Sequence, residues 1–210
     1  MSNHKIFVTA IGTDIGKTIA SAVLCRALSA DYWKPIQSGL DDGSDSQKVG
    51  KLAGSAIVIH PSRYILTQPL SPHAAAAIDK VKIRLSDFVL PDTKGRSLVV
   101  EGAGGLLVPI NDHQLMIDLI KKLGLTPLLV VKHYLGSINH TLLSLSLLKN
   151  SGYHQLAIIY NGEKVKSSED AISNFSKREK IKLSMLGRIP YLGKMPSQAI
   201  VAKAAKRLSL

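Results

Sequence analysis

The sequence has a single cysteine, Cys25, among its 210 residues. A lone thiol cannot staple the chain to itself, so the fold must rest on a packed core, as in proteins of reducing compartments. Membrane-length apolar stretches are missing too. The most apolar run, LGLTPLLVV, falls well short of the ~18 residues a spanning helix needs and is closed by Lys132. The first residues lead into strand-like KIFVT without the basic and apolar regions of a secretion signal, so a cytoplasmic protein with no membrane association is expected. Acidic residues are scarce: 15 Asp and Glu face 27 Lys and Arg, a formal net charge of +12. Such a balance raises the question of nucleic acid, and the clusters SKREKIK and AKAAKRL would suit it. Aromatic residues make up only 5%, however, and no nucleic-acid reading motif accompanies the lysines. The clusters therefore read as solvated helix faces, and no nucleic-acid partner is expected. The charge would still attract small anions.

What the chain does have is enough apolar residue, 45% of the total, to bury one substantial core. A single domain over residues 1–210 is expected. Short β-branched runs alternate with helical stretches. Strands are predicted at 5–9, 32–36, 97–101, 127–132, 156–161 and 185–189, and helices at 17–29, 45–53, 114–123, 137–150, 167–176 and 196–208. The runs SLVVEG, TPLLVVK and LAIIYN are apolar on successive residues, as strands covered on both faces are. The pattern predicts an α/β three-layer sandwich with a mostly parallel sheet. Residues 56–92, with Pro61, Pro69, Pro72 and Pro91, read as loops and short elements over one edge.

The first strand runs into Gly12, Gly16, Lys17 and Thr18. A phosphate loop of the form G-x-x-x-x-G-K-[ST] cradles phosphates on backbone N–H groups, directs its lysine at them and offers its hydroxyl to magnesium. The first glycine should fall at Ile11; the nearest is Gly12. The second half of the pattern stands where a helix N-terminus presents free donors. The plain alternative is a strand-to-helix turn that needs glycine. A magnesium nucleotide also needs hard carboxylates. Glu101 ends an apolar strand and is followed by Gly102, Ala103 and Gly104. Asp45 is either a ligand or a helix N-cap. Lys34, after a short strand and before Pro35 and Ser38, either lies over a transferring phosphate or is simply exposed. His60, His73, His113, His133, His140 and His154 show no metal-ligand spacing.

The blocks FVTAIGTDIGKT, YWKPIQSG, PLSPHAA, VVEGAGGLLVPI, LGSINHTLLSL, IYNGE and LGRIPYL resemble, in order and spacing and nearly end to end, those of the dethiobiotin synthetase family, P-loop NTPase-like ligases of biotin biosynthesis. The resemblance implies an enzyme that converts 7,8-diaminononanoate, CO2 and ATP, with Mg2+, into dethiobiotin, ADP and phosphate. A carbamate on one amine attacks the γ-phosphate, and the second amine then displaces phosphate and closes the ring. By the same resemblance Lys17 and Lys34 are the catalytic lysines. Thr18, Asp45 and Glu101 are the magnesium ligands. Asp14, Ile15, Gly16, Lys17, Thr18, Ile19, Gly102, Ala103 and Gly104 surround the nucleotide phosphates, with Asn161, Gly162, Pro190, Tyr191 and Leu192 around the base. Thr13 and Ser38 touch the diamine or the carbamate, and His73 could line the substrate pocket. Gly136, Ser137, Ile138 and Asn139 reach the substrate carboxylate across the interface of a homodimer; the sequence itself places Ser137 as the cap of a helix whose free N–H groups suit a carboxylate, or as the cap of a plain helix. The chain departs from the family pattern at Ala10, Ile11 and Gly12, where Gly-Thr-Asp is usual, which removes a carboxylate.

Two other nucleotide-binding classes share such a loop. ParA- or MinD-like switch ATPases carry an additional lysine in the loop, where this chain has Gly12. Amidotransferase-type synthetases need a nucleophilic cysteine, and Cys25 falls inside the first helix.

Overall fold

The computed structural model describes residues 3–40, 43–192 and 196–210. The chain runs β1 (Lys5–Ala10), α1 (Lys17–Leu28), β2 (Asp31–Trp33), β3 (Ile36–Ser38), α2 (Asp45–Ala53), β4 (Ile59–His60), β5 (Tyr64–Leu66) and α3 (Pro72–Ile78). It continues through a short 3-10 turn (Leu85–Asp87), β6 (Leu98–Gly105), α4 (Met116–Leu123), β7 (Thr126–Lys132), α5 (Ser137–Asn150), β8 (Gln155–Asn161), α6 (Lys166–Arg178), β9 (Lys182–Ile189) and α7 (Gln198–Ala205).

Seven strands form one sheet in the order β4-β2-β6-β1-β7-β8-β9, and each pairing in it is parallel. Helices flank it: α1, α2 and α7 pack on one another, and α5 packs on α6. The central strands are buried along most of their length, with Phe7, Val8, Val99, Val100, Leu129 and Val130 fully covered. Residues apolar at successive positions satisfy both faces of such a sheet, which is why β6 and β7 are readable from composition alone.

The strand predicted over 32–36 is two strands. β2 stops at Trp33, and β3 pairs with β5 in a separate two-stranded parallel sheet. Pro35 has no N–H to extend the first ladder, so the chain leaves one sheet for the other there. Within residues 56–92, β4 forms the sheet edge, while β5 and α3 build a wall beside β3. The last helix begins later than predicted because Ser197 is its N-cap, accepting from the Ile200 N–H. No helix among the described residues is long and apolar enough to cross a membrane.

Because the strands are parallel, their carboxyl ends lie on one side. The connection leaving β1 faces the gap where the order reverses, β6 on one flank and β7 on the other. Open α/β sheets collect ligands at such a switch point.

Candidate active site

Residues 11–16 join β1 to α1. Asp14 takes φ 56° and Gly16 φ 97°, and Gly16 is the N-cap of α1 with no side chain capping the helix. The first turn of α1 is therefore left for an anion. Gly16 is required on two counts: its backbone is left-handed, and a Cβ there would lie 2.1 Å from Nδ2 of Asn161. That amide, at the end of β8, donates to the Ile15 carbonyl at 2.7 Å and ties the loop to the far side of the sheet. Lys17 is 8% exposed, and its Nζ donates to the Gly12 carbonyl at 3.2 Å. Burial, helped by the Lys34 charge and opposed by Glu101, holds its pKa below the usual lysine value.

Beside the loop lies a buried polar knot. Glu101 is 1% exposed and Lys34 4%. Lys34 Nζ lies 3.0 Å from Glu101 Oε1 and 2.6 Å from Asp45 Oδ2. The Thr18 hydroxyl stands 3.0 Å from Asp45 Oδ1 and 3.1 Å from Glu101 Oε1. Burial alone would lower the pKa of Lys34, but Glu101 and Asp45 together raise it above the ordinary lysine value. Burial would raise that of Asp45, yet the Lys34 charge takes it below the ordinary carboxyl value. The ion pairs win over desolvation because one ammonium is shared by two carboxylates.

Asp45 is not the helix cap. Ser44 caps α2, its hydroxyl accepting from the Gln47 N–H while the Gln47 side chain accepts from the Ser44 N–H. With that duty taken by its neighbour, the Asp45 carboxylate is free to point into the site. Gln37 Oε1 accepts the Asp45 N–H at 3.0 Å, and its Nε2 donates to the Gly39 carbonyl at 3.0 Å. Lys34 is not an exposed strand-end lysine; it is the centre of the knot.

These groups open onto a cleft of about 1040 Å³. Thr13, Asp14, Gly16, Lys17, Thr18 and Ile19 line one side, and Lys34, Ser38, Asp45, Glu101, Ala103 and Gly104 the other. The buried Ser38 Oγ has no hydrogen-bond partner among the described residues. Pro69, Leu70, Ser71 and Pro72 close the far wall, while the His73 ring turns to the Ser71 hydroxyl at 3.0 Å. Gly102 serves packing: a Cβ there would come 2.7 Å from the Phe7 ring. Its carbonyl is 3.5 Å from Lys34 Nζ.

Besides Ile15, which is buried in the core, and Gly102, two groups of predicted residues do not line this cleft. Asn161 and Gly162 end β8, where the Gly162 N–H donates to Ile189 O at 2.8 Å and its carbonyl accepts from Arg188 at 3.1 Å. Pro190, Tyr191 and Leu192 follow β9, with Tyr191 77% exposed. Gly136 to Asn139 open α5. Gly136, at φ 98°, is the N-cap, so Ser137 does not cap the helix; it is its first residue and is buried.

Tyr32 and Gln37 belong to this constellation although, within the block YWKPIQSG, only Lys34 and Ser38 are singled out. Tyr32 donates to Glu101 Oε2 at 2.9 Å. Besides its place in that block, alternation puts Tyr32 on the same strand face as Lys34.

A family model described as an AAA domain matches residues 4–199. The "ATP-dependent dethiobiotin synthetase BioD" of Christiangramia forsetii is 45% identical over 206 residues, covering 96% of each chain. That of Paramagnetospirillum magneticum is 48% identical over 170 residues, covering 81% of this chain and 82% of the relative. Among solved structures, a ParA family ATPase from Chlorobium tepidum superposes with a TM-score of 0.60 at 12% identity, covering 99% of this chain and all of that one. At that identity the likeness concerns the fold alone. A phosphate loop, a carboxylate–lysine knot at its mouth and relatives matching almost from end to end lead to one conclusion: the chain belongs to the ATP-dependent dethiobiotin synthetases.

Proposed function

We propose that this chain is a ligase that carboxylates 7,8-diaminononanoate with CO2 and closes the ring to dethiobiotin, spending ATP to ADP and phosphate. The observation that carries this reading is the convergence of Lys34, Asp45, Glu101 and Thr18 at the phosphate loop.

A cation site is supported by its donor set. One hydroxyl and two carboxylates, all hard oxygen donors, already gather around a positive charge, the Lys34 ammonium. Thr18, Asp45 and Glu101 would hold Mg2+. When bound, the ion offsets the charge of the triphosphate and helps to orient its terminal group.

The chain's own groups do the rest. The open first turn of α1 and Lys17 hold the phosphates, with Lys17 moving from the Gly12 carbonyl to an anion. Thr13 and Ser38 hold the diamine. A carbamate oxygen on one substrate amine attacks the γ-phosphorus and ADP leaves. The second amine then attacks the carbamate carbon, phosphate departs and the urea ring closes. Lys34 balances the negative charge that builds on the transferring phosphoryl oxygens. Positioning and charge stabilisation suffice for such chemistry. Asn161 and Gly162, with Pro190 to Leu192, read the base at the mouth of β8 and β9; an amide edge beside apolar side chains suits a purine.

In this reading residues 1–210 act as one domain and the protein works in the cytoplasm, without nucleic acid or membrane. It forms a homodimer in which Gly136, Ser137, Ile138 and Asn139 reach the partner's substrate carboxylate. Support comes from exposed apolar side chains at that point, Leu135, Ile138 and Leu143.

The test is to mix the purified protein with the diamine, bicarbonate and Mg-ATP and to look for dethiobiotin by mass. Product is expected only when all three substrates are present. ATP hydrolysis stimulated by DNA or lipid, with no dethiobiotin, would favour a switch ATPase instead.

A further inference from the structure

Tyr32 has no part in the chemistry above, yet it is fully buried against the same carboxylate. Its hydroxyl donates to Glu101 Oε2 at 2.9 Å, with Tyr32 0% and Glu101 1% exposed. The contact follows from sheet register. Tyr32 lies opposite Val99 in the parallel β2–β6 ladder, and Glu101 is two residues further along β6 on the same face. At ~3.3 Å per residue that is about 6.6 Å, a span that a tyrosine ring and hydroxyl bridge. A phenylalanine would fill the space without donating.

Alternation along one strand then divides the carboxylate between two partners. Tyr32 takes Oε2; Lys34, two residues on, sits 3.0 Å from Oε1, where the Thr18 hydroxyl also approaches at 3.1 Å. Lys34 and Thr18, which also contact Asp45, both meet Glu101 at Oε1. Trp33, between them, turns to the other side and donates to the Pro61 carbonyl at 3.0 Å.

We infer that Tyr32 is a positioning residue that sets cation specificity: by occupying Oε2 it leaves Glu101 one oxygen to offer and so favours Mg2+ over Ca2+. Ca2+ readily takes both oxygens of a carboxylate and accepts irregular coordination, whereas Mg2+ demands near-octahedral geometry with few protein ligands. Partners that orient a metal-binding group characteristically affect affinity 10–100-fold. The inference rests on the metal reading proposed above.

The experiment measures Mn2+ bound to the whole protein with ADP by electron paramagnetic resonance, then displaces it with Mg2+ or Ca2+. In Tyr32→Phe, Mg2+ is expected to compete about 10–100-fold less well, while Ca2+ loses less or gains, so the Mg2+/Ca2+ preference narrows. In Trp33→Phe, which removes a donor from the same buried strand, the preference should stay at the parent value. Equal weakening for both ions in Tyr32→Phe, or no change for either, overturns the inference while leaving the ligase reading intact. A parent protein that holds no Mn2+ with ADP overturns the metal reading and the inference with it. Should Tyr32→Phe fail to fold, fluorotyrosine at position 32 keeps shape and donor while changing donor strength. The preference must then move, and an unmoved preference overturns the inference.

Discussion

The two ends of the proposed nucleotide site are built differently. At the phosphate end Lys17, Lys34 and Glu101 are buried, with Lys34 held by Glu101 and Asp45 and Lys17 held by the Gly12 carbonyl. At the base end Tyr191 is largely exposed, and Asn161 gives one of its amide hydrogens to the loop carbonyl of Ile15. The phosphate end, where the proposed chemistry needs charge stabilised, is held in place by the protein's own polar contacts, the kind of preorganisation on which electrostatic catalysis depends. The base end is anchored through backbone contacts of Gly162 and leaves its apolar side chain open. In the proposed reading it contributes affinity rather than chemistry, and the contact between Asn161 and the loop links it to the phosphate end.

If this contrast holds, Lys34→Ala should have the largest effect. Turnover is expected to fall about 10²–10³-fold, the range for removing a charge-stabilising donor, while ATP binding measured by calorimetry changes little. The same variant leaves Glu101 and Asp45 facing each other, so its melting temperature should drop without metal and recover more than the parent's when Mg2+ is added. Normal turnover would remove Lys34 from the mechanism. Glu101→Gln comes next, with a rise in the Mg2+ concentration needed for half-maximal activity on the order of 10–100-fold. An unchanged magnesium titration would reject Glu101 as a ligand.

Gly16→Ala tests the link between the two ends. A left-handed backbone costs a non-glycine residue roughly 1–2 kcal/mol, and here the new methyl also meets Asn161. ATP affinity should fall by more than tenfold. Adding Asn161→Ala should recover part of that loss, although Asn161→Ala alone weakens binding modestly, by about 1 kcal/mol. Strict additivity in this cycle would mean that the two ends are independent.

The smallest effect lies at the base end. Burial, reinforced by Glu169 and opposed by Arg188, raises the Tyr160 pKa to about 12. Because the folded value is above the unfolded value of ~10, the neutral phenol's contribution to stability is complete below that pH. It is lost as the pH rises through the folded value. Phenolate absorbance followed with alkaline unfolding should show Tyr160 ionising late; ionisation at the ordinary tyrosine pH would contradict it.

Much of this was legible in the order of residues. Helices α2 and α5 begin and end where their periodicity places them, and Lys17, Thr18, Lys34, Asp45 and Glu101 meet in one cleft. What was hidden depends on distant parts of the chain. Asp45 looks like a cap until Ser44 is seen to cap α2. Lys34 looks like a surface lysine until β2 and β6 are paired and its charge is enclosed. Tyr32 and Glu101 are brought together by sheet register, as are Asn161 and the loop by strand order. No local pattern encodes such pairs. The break after Trp33 was foreshadowed by Pro35, but that β3 joins a second sheet depends on where β5 lies.

Following the oxygen atoms of bicarbonate tests the central claim most directly. If the carbamate attacks the γ-phosphate in this site, ring closure must cleave the carbamate C–O bond and release that oxygen with phosphorus. Heavy-oxygen bicarbonate, turned over with the diamine and Mg-ATP, should therefore place one labelled atom in each phosphate formed alongside dethiobiotin. Phosphate carrying no bicarbonate oxygen, its fourth oxygen coming from solvent, would show that water, and not the substrate, attacks ATP in this cleft.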